Sequence, residues 1–109
     1  MANSKEQITT GDIEFVRHVL LPWSEVRAIY LEWDNSKKVY PDIWLSYRGR
    51  IPMITVTREW ARQTMKERHK RLVHEFLHIL GMEHDGSIDY NTYPNKDKYS
   101  EKMYRRLIR

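Results

Sequence analysis

Three histidines and a glutamate in one twelve-residue stretch are the residues of this chain whose types and spacing point to chemistry. From His74 to Asp85 the sequence reads His-Glu-Phe-Leu-His-Ile-Leu-Gly-Met-Glu-His-Asp. On a helix, successive residues are rotated by about 100°, so His74 and His78 return to one face a turn apart, the spacing at which two imidazoles bind one zinc ion. Glu75 is offset from that face. Its carboxylate is expected to reach a water on the metal rather than the metal itself, as a general base must. A continuing helix would carry His84 away from the other two, so a third ligand there requires the chain to double back, and Gly81 is the residue that permits a left-handed helix end.

This His-Glu-x-x-His-x-x-Gly-x-x-His-Asp pattern resembles the zincin metallopeptidases, and more narrowly those with the extended metzincin-type motif. The resemblance implies zinc on His74, His78 and His84, with Glu75 as the catalytic base. Metzincins are usually longer and carry a Met-containing turn below the zinc, whereas 25 residues follow His84 here. The overall plan is most similar to the minimal archaeal metallopeptidases of the selecase and minigluzincin kind, in which one C-terminal helix follows the active-site helix. By that likeness Glu101 is an alternative third ligand in place of His84. Reversible homo-oligomers that restrain activity are a further implication.

The elements that position the motif follow from hydrophobic periodicity. Residues 1 to 8 read as a loose tail. Ile13, Val16, Val19 and Leu20 recur at helical spacing from Thr10, with Asp12 at the positive helix start and Pro22 at its end. His18 has no partner at ligand spacing and is assigned a structural role. Glu25 to Trp33 alternates around Ile29, Leu31 and Trp33 as a strand. Two more strands are expected at Ile43 to Tyr47 and Met53 to Thr57, joined by a hairpin at Gly49, with Pro52 at the start or on the edge of the last. By resemblance, one strand edge lines the cleft over the zinc and takes substrate as an added strand.

Residues 60 to 64 read as a short helix or an extended lead-in, and the central helix is firm from Lys66. Its second half, with Leu72, Val73, Phe76, Leu77, Ile79 and Leu80, is expected to be buried. Its first half, with Lys66, Arg68, His69, Lys70 and Arg71, reads as a solvent-exposed approach, and His69 falls off the ligand face. A turn-rich segment after Asp85 covers one side of the site, and Asn95 or Asp97 caps a final helix with Met103, Tyr104, Leu107 and Ile108 as its packing stripe. Met103 is assigned to the core rather than to a metzincin-like turn. Tyr90, Tyr93 and Tyr99 are the candidates to stabilise an oxyanion, and Asp85 to orient an imidazole or the motif loop.

Bulk properties set the outer limits. With 109 residues the chain has room for one domain and one core, here an α+β, minimal zincin-like arrangement of N-terminal helix, three-stranded sheet, active-site helix and C-terminal helix. No apolar run approaches the ~20 residues that span a bilayer, and the polar N-terminus lacks the apolar block of a secretory signal. Cysteine is absent, which removes disulfides and thiolate ligands and is compatible with a reducing, cytoplasmic location. The net charge of +4 modestly favours acidic partners.

The expected activity is therefore hydrolysis of peptide bonds in unstructured polypeptides, with Zn2+ as cofactor. Two alternatives stand beside it. Zinc-dependent bacterial endoribonucleases that process ribosomal RNA carry a similar His-x-x-x-His-Leu-x-Gly-x-x-His segment, but with Gly where this chain has Glu75, which ranks nucleic acid behind polypeptide. A non-catalytic zinc-stapled binding module would usually close all four metal positions with protein ligands, often Cys, and this chain has none.

Overall fold

In a computed structural model of the chain, residues 7–35, 42–82 and 98–108 are described, Lys98 and Tyr99 by their backbone alone. The fold is α+β, as expected. The first helical segment, α1, is α-helical over Thr10–Glu14, π-helical over Phe15–Leu20 and 3-10 over Leu21–Trp23. Strands β1 (Tyr30–Trp33), β2 (Ile43–Arg48) and β3 (Ile51–Val56) follow, then a short helix α2 (Arg58–Ala61), the central helix α3 (Met65–Ile79) and α4 (Lys98–Leu107). The helical backbone runs through Pro22 instead of stopping there, because the 3-10 turn takes the proline in its first turn, where its missing N–H is not needed.

The sheet order is β1-β3-β2, with β1 parallel and β2 antiparallel to the central β3. Arg48 pairs with Ile51 across a two-residue loop, and Gly49 takes φ +65° while Arg50 stays at negative φ. That is the pattern of a type II′ hairpin, whose first central position favours Gly. From that closing pair the ladder alternates, so the backbone groups of Pro52, Ile54 and Val56 turn toward β1. Tyr30 pairs with Met53, and the next partner back along β3 would be Pro52, which has no N–H to give. The parallel ladder ends at that point. The expected strand from Glu25 is accordingly shortened to Tyr30–Trp33, while its alternation survives: Ile29 is buried, and Leu31 and Trp33 pack against the core.

The core gathers Phe15, Val16 and Leu20 from α1, Ile43, Ile54 and Val56 from the sheet, Trp60 and Ala61 from α2, Leu72, Val73, Phe76 and Leu77 from α3, and Tyr104 from α4. Met103 packs against this core, in keeping with its assignment. Ile108 and Leu80, expected in packing stripes, are exposed. Each falls just past the last turn of its helix. No helix among the described residues is long and apolar enough to cross a membrane.

The largest departure concerns the first half of α3. Lys66 is exposed, but Arg68, Lys70 and Arg71 are buried, so the expected solvent-exposed approach is corrected. Each basic group meets a carboxylate on a different element: Arg68 meets Asp12 of α1, Lys70 meets Glu101 of α4 and Glu67, and Arg71 meets Asp42 just before β2. Pairing is what allows charges to be buried. The tail is also less loose than expected at its end, since the Gln7 carbonyl accepts from Arg68 Nη2 at 2.8 Å and Ile8 packs on the core.

Candidate metal centre

His74 and His78 sit in the last two turns of α3, which begins where the Thr64 hydroxyl accepts from the Glu67 N–H at 3.2 Å. Their ring centroids are 5.0 Å apart, edge to face. The helix thus brings the two predicted ligands together on one face. His74 is buried at 3% exposure and His78 is half-buried.

The helix end has the geometry that the motif requires. Leu80 is the last right-handed residue, Gly81 takes φ +99°, the Gly81 N–H donates to the His78 carbonyl at 2.9 Å and the Met82 N–H to the Leu77 carbonyl at 3.0 Å. These two bonds define a Schellman turn. Only a residue without Cβ adopts such a φ readily. The turn also presents the Met82 carbonyl to His78, whose Nδ1–H donates to it at 2.8 Å. A carbonyl only accepts, so the proton is held on Nδ1 and the lone pair of the neutral ring lies on Nε2, the tautomer in which Nε2 can ligate a metal. Sequence reasoning missed this orienting contact, since a backbone acceptor leaves no residue-type signal.

Glu75 is 7% exposed, and no hydrogen bond or ion pair reaches it among the described residues. Burial alone pushes its carboxyl up to about 8. A carboxylate in such surroundings needs a proton or a nearby cation, and a dication beside it would reverse the local balance. What the described residues offer a zinc ion is two imidazoles on one helix face, one of them fixed in the metal-binding tautomer, with Glu75 the next residue along the helix after His74.

His84, Asp85, Tyr90, Tyr93, Asn95 and Asp97 lie outside the described residues, as does the turn-rich segment after Asp85. Among the described residues no group of three His, Cys, Asp or Glu side chains converges. Glu101, the alternative third ligand, is held by Lys70 and by Arg105 Nε at 2.9 Å, the latter one turn along α4. The Lys70 contact, aided by Arg105, keeps its carboxyl below the usual range. Lys70 lies one turn before His74, so Glu101 is engaged elsewhere on α3. His18 is exposed.

His69 has another use. Its Nε2 contacts Asp12 Oδ1 at 2.9 Å, and its ring stacks on Phe15 with centroids 4.2 Å apart. Asp12 is fully buried and accepts as well from Arg68 and from the Thr9 N–H and hydroxyl, each 2.9 Å away. Arg68 in turn lies over the Trp60 ring at 4.4 Å, while Trp60 Nε1 donates to the Arg68 carbonyl at 3.1 Å. This network anchors the start of α3 to α1, less than two turns before His74.

No protein-family model matches the chain, and no curated protein or solved structure matches it either.

Proposed function

We propose that this chain is a zinc-dependent metallopeptidase that cleaves unstructured polypeptides, with His74, His78 and His84 as the metal ligands and Glu75 as general base. The observation that carries the reading is the His74/His78 pair on one helix face, 5.0 Å apart, with Glu75 beside it and a left-handed turn at Gly81 directly after. Zinc held there supplies a Lewis acid that polarises the scissile carbonyl and lowers the pKa of water from ~15.7 to ~7. Glu75 takes the proton from the attacking water and passes it to the leaving amine nitrogen as the C–N bond breaks. The Nδ1–H bond of His78 to the Met82 carbonyl holds that imidazole in register throughout.

Strand β2 is the cleft edge best supported. It is an outer strand of the sheet, and the Arg71–Asp42 ion pair fixes its start to α3 three residues before His74, on the ligand side of the helix. An extended substrate would add to its outer edge. On the same reading, reversible self-association restrains the enzyme, which light scattering and activity over one dilution series would test.

The direct test pairs metal analysis with digestion of one unstructured protein and one RNA. The parent protein should carry about one zinc per chain, as a site of this type does, and lose it in His74→Ala and His78→Ala. Glu75→Gln should keep zinc while proteolysis falls at least ~100-fold. Full zinc retention in both histidine variants rejects the site. Cleavage of RNA alone would replace the peptidase with a nuclease, and zinc without turnover of either substrate would leave a zinc-stapled binding module.

A further inference from the structure

On the sheet edge opposite β2, a groove of about 280 Å³ runs between α1 and the start of β1, lined by Ile13, Val16, Arg17, Leu21 and residues 28–31. Its volume lies just below the roughly 300–1,000 Å³ of small-molecule sites. Its walls are apolar apart from Arg17. Ile13 and Tyr30, at 40% and 44% exposure, leave large apolar surface at its mouth.

The neighbouring backbone has open valences. The Asp34 N–H donates to the Val56 carbonyl at 2.9 Å, so by the period of two the amide groups of Tyr30 and Glu32 also turn toward β3. Those of Leu31 and Trp33 then turn outward, and no partner reaches them among the described residues. Arg17 is exposed and likewise has no ion pair or hydrogen bond among the described residues. A free strand edge, an apolar groove beside it and one uncommitted guanidinium match three features of an extended peptide: backbone amides, an apolar side chain and a carboxylate.

We propose that the α1/β1 groove is a docking site for an acidic, extended polypeptide segment. The segment pairs with the outer edge of β1 through Leu31 and Trp33, seats an apolar side chain between Ile13, Val16 and Leu21, and sets a carboxylate on Arg17. The site is independent of the metal centre and serves binding, whether or not the bound chain is also a substrate.

The probe is a fluorescent peptide of about eight residues alternating valine and aspartate, a length that covers a typical strand, titrated into the full chain while backbone amide shifts are followed by NMR. Amide shifts at Leu31 and Trp33 together with Arg17 are expected, with binding weakened at least tenfold in Arg17→Glu. Since Arg17 is exposed, that variant should fold normally, which thermal melting checks. The same peptide methylated on alternate backbone nitrogens should not bind, because it cannot pair as a strand. A lysine-for-aspartate peptide should bind at least tenfold more weakly. The proposal is overturned if the shifts fall elsewhere or are absent, if Arg17→Glu binds as tightly as the parent, or if the methylated or lysine peptide binds equally well.

Discussion

Replacing Asp12 tests whether the buried ionic network behind α3 is a main support of the fold. Asp12 is fully buried and Arg68 is 3% exposed, so Asp12→Ala leaves a guanidinium in the interior without its counter-charge. Breaking one side of such a pair costs about 3–5 kcal/mol. The same substitution removes the reciprocal Thr9/Asp12 capping box, worth about 1 kcal/mol more. The total, about 4–6 kcal/mol, is a large share of the roughly 5–15 kcal/mol that hold a domain together. Arg68→Met should be milder, because His69 and Thr9 remain to donate to the carboxylate. The double variant Asp12→Ala/Arg68→Met leaves neither charge and should lose at least ~2 kcal/mol less than the sum of the single losses. Urea denaturation measures this as a displaced midpoint at constant slope. If Asp12→Ala loses under 1 kcal/mol, or if the two variants simply add, the ion pair is not the support described.

Acid should unfold the protein through the same residue. Burial raises the Asp12 carboxyl, but the bonds from His69 and Thr9 and the Arg68 charge outweigh it and leave it below its ordinary value. The unfolded chain therefore binds this proton first: the stabilisation is complete above the unfolded value near ~3.9 and is lost as pH falls through the folded one, a dependence that Asp12→Asn should flatten in urea titrations. Gly81→Ala forces a side chain to φ +99° and should cost about 1–2 kcal/mol in thermal melts, with nothing among the described residues within 4 Å of the new Cβ to offset the strain by contact; a neutral result would refute the left-handed cap. Glu101→Ala should leave zinc content unchanged while destabilising the α3–α4 contact, because it leaves Lys70 only its 3.4 Å contact with Glu67 on its own helix; loss of zinc in that variant would restore Glu101 as a ligand.

The parts of this molecule legible in the sequence were those governed by local spacing. Two histidines four residues apart with a glycine after them specify a helix face and a left-handed stop, and both are found. The hairpin at Gly49 was legible for the same reason. Cap signals are present too: Thr64 and Glu67 stand three apart as the capping pattern requires, and they set the start of α3 just ahead of the periodicity that is firm from Lys66. What could not be read were pairings between distant positions. Asp12 with Arg68 and His69 spans more than fifty residues, and Asp42 with Arg71 nearly thirty, so a basic run that looks like a solvated face turns out to be buried. The length of β1 was equally non-local, since it is limited by Pro52 on another strand.

Those distant pairs explain how so short a chain holds its central helix in place. At about 100° per residue, positions 68, 70 and 71 point in three directions, so three basic side chains within one turn reach three different elements: α1, α4 and the start of β2. Apolar side chains at these positions would pack as well but would not discriminate between neighbours. A charged side chain buried against the wrong element leaves that cation and its own carboxylate unmatched, each at a penalty of several kcal/mol. The arrangement thus fixes which element faces which side of α3, in the turn before His74. Rigid packing continues through Leu72, Val73, Phe76 and Leu77, and the polar contacts of His78 with Met82 and Gly81 terminate it. The two imidazoles are thereby held between an ionic clamp on one side and a Schellman turn on the other. On the proposed reading this is the preorganisation that a metal-ligand pair requires, because each imidazole would have to keep one orientation before an ion bound.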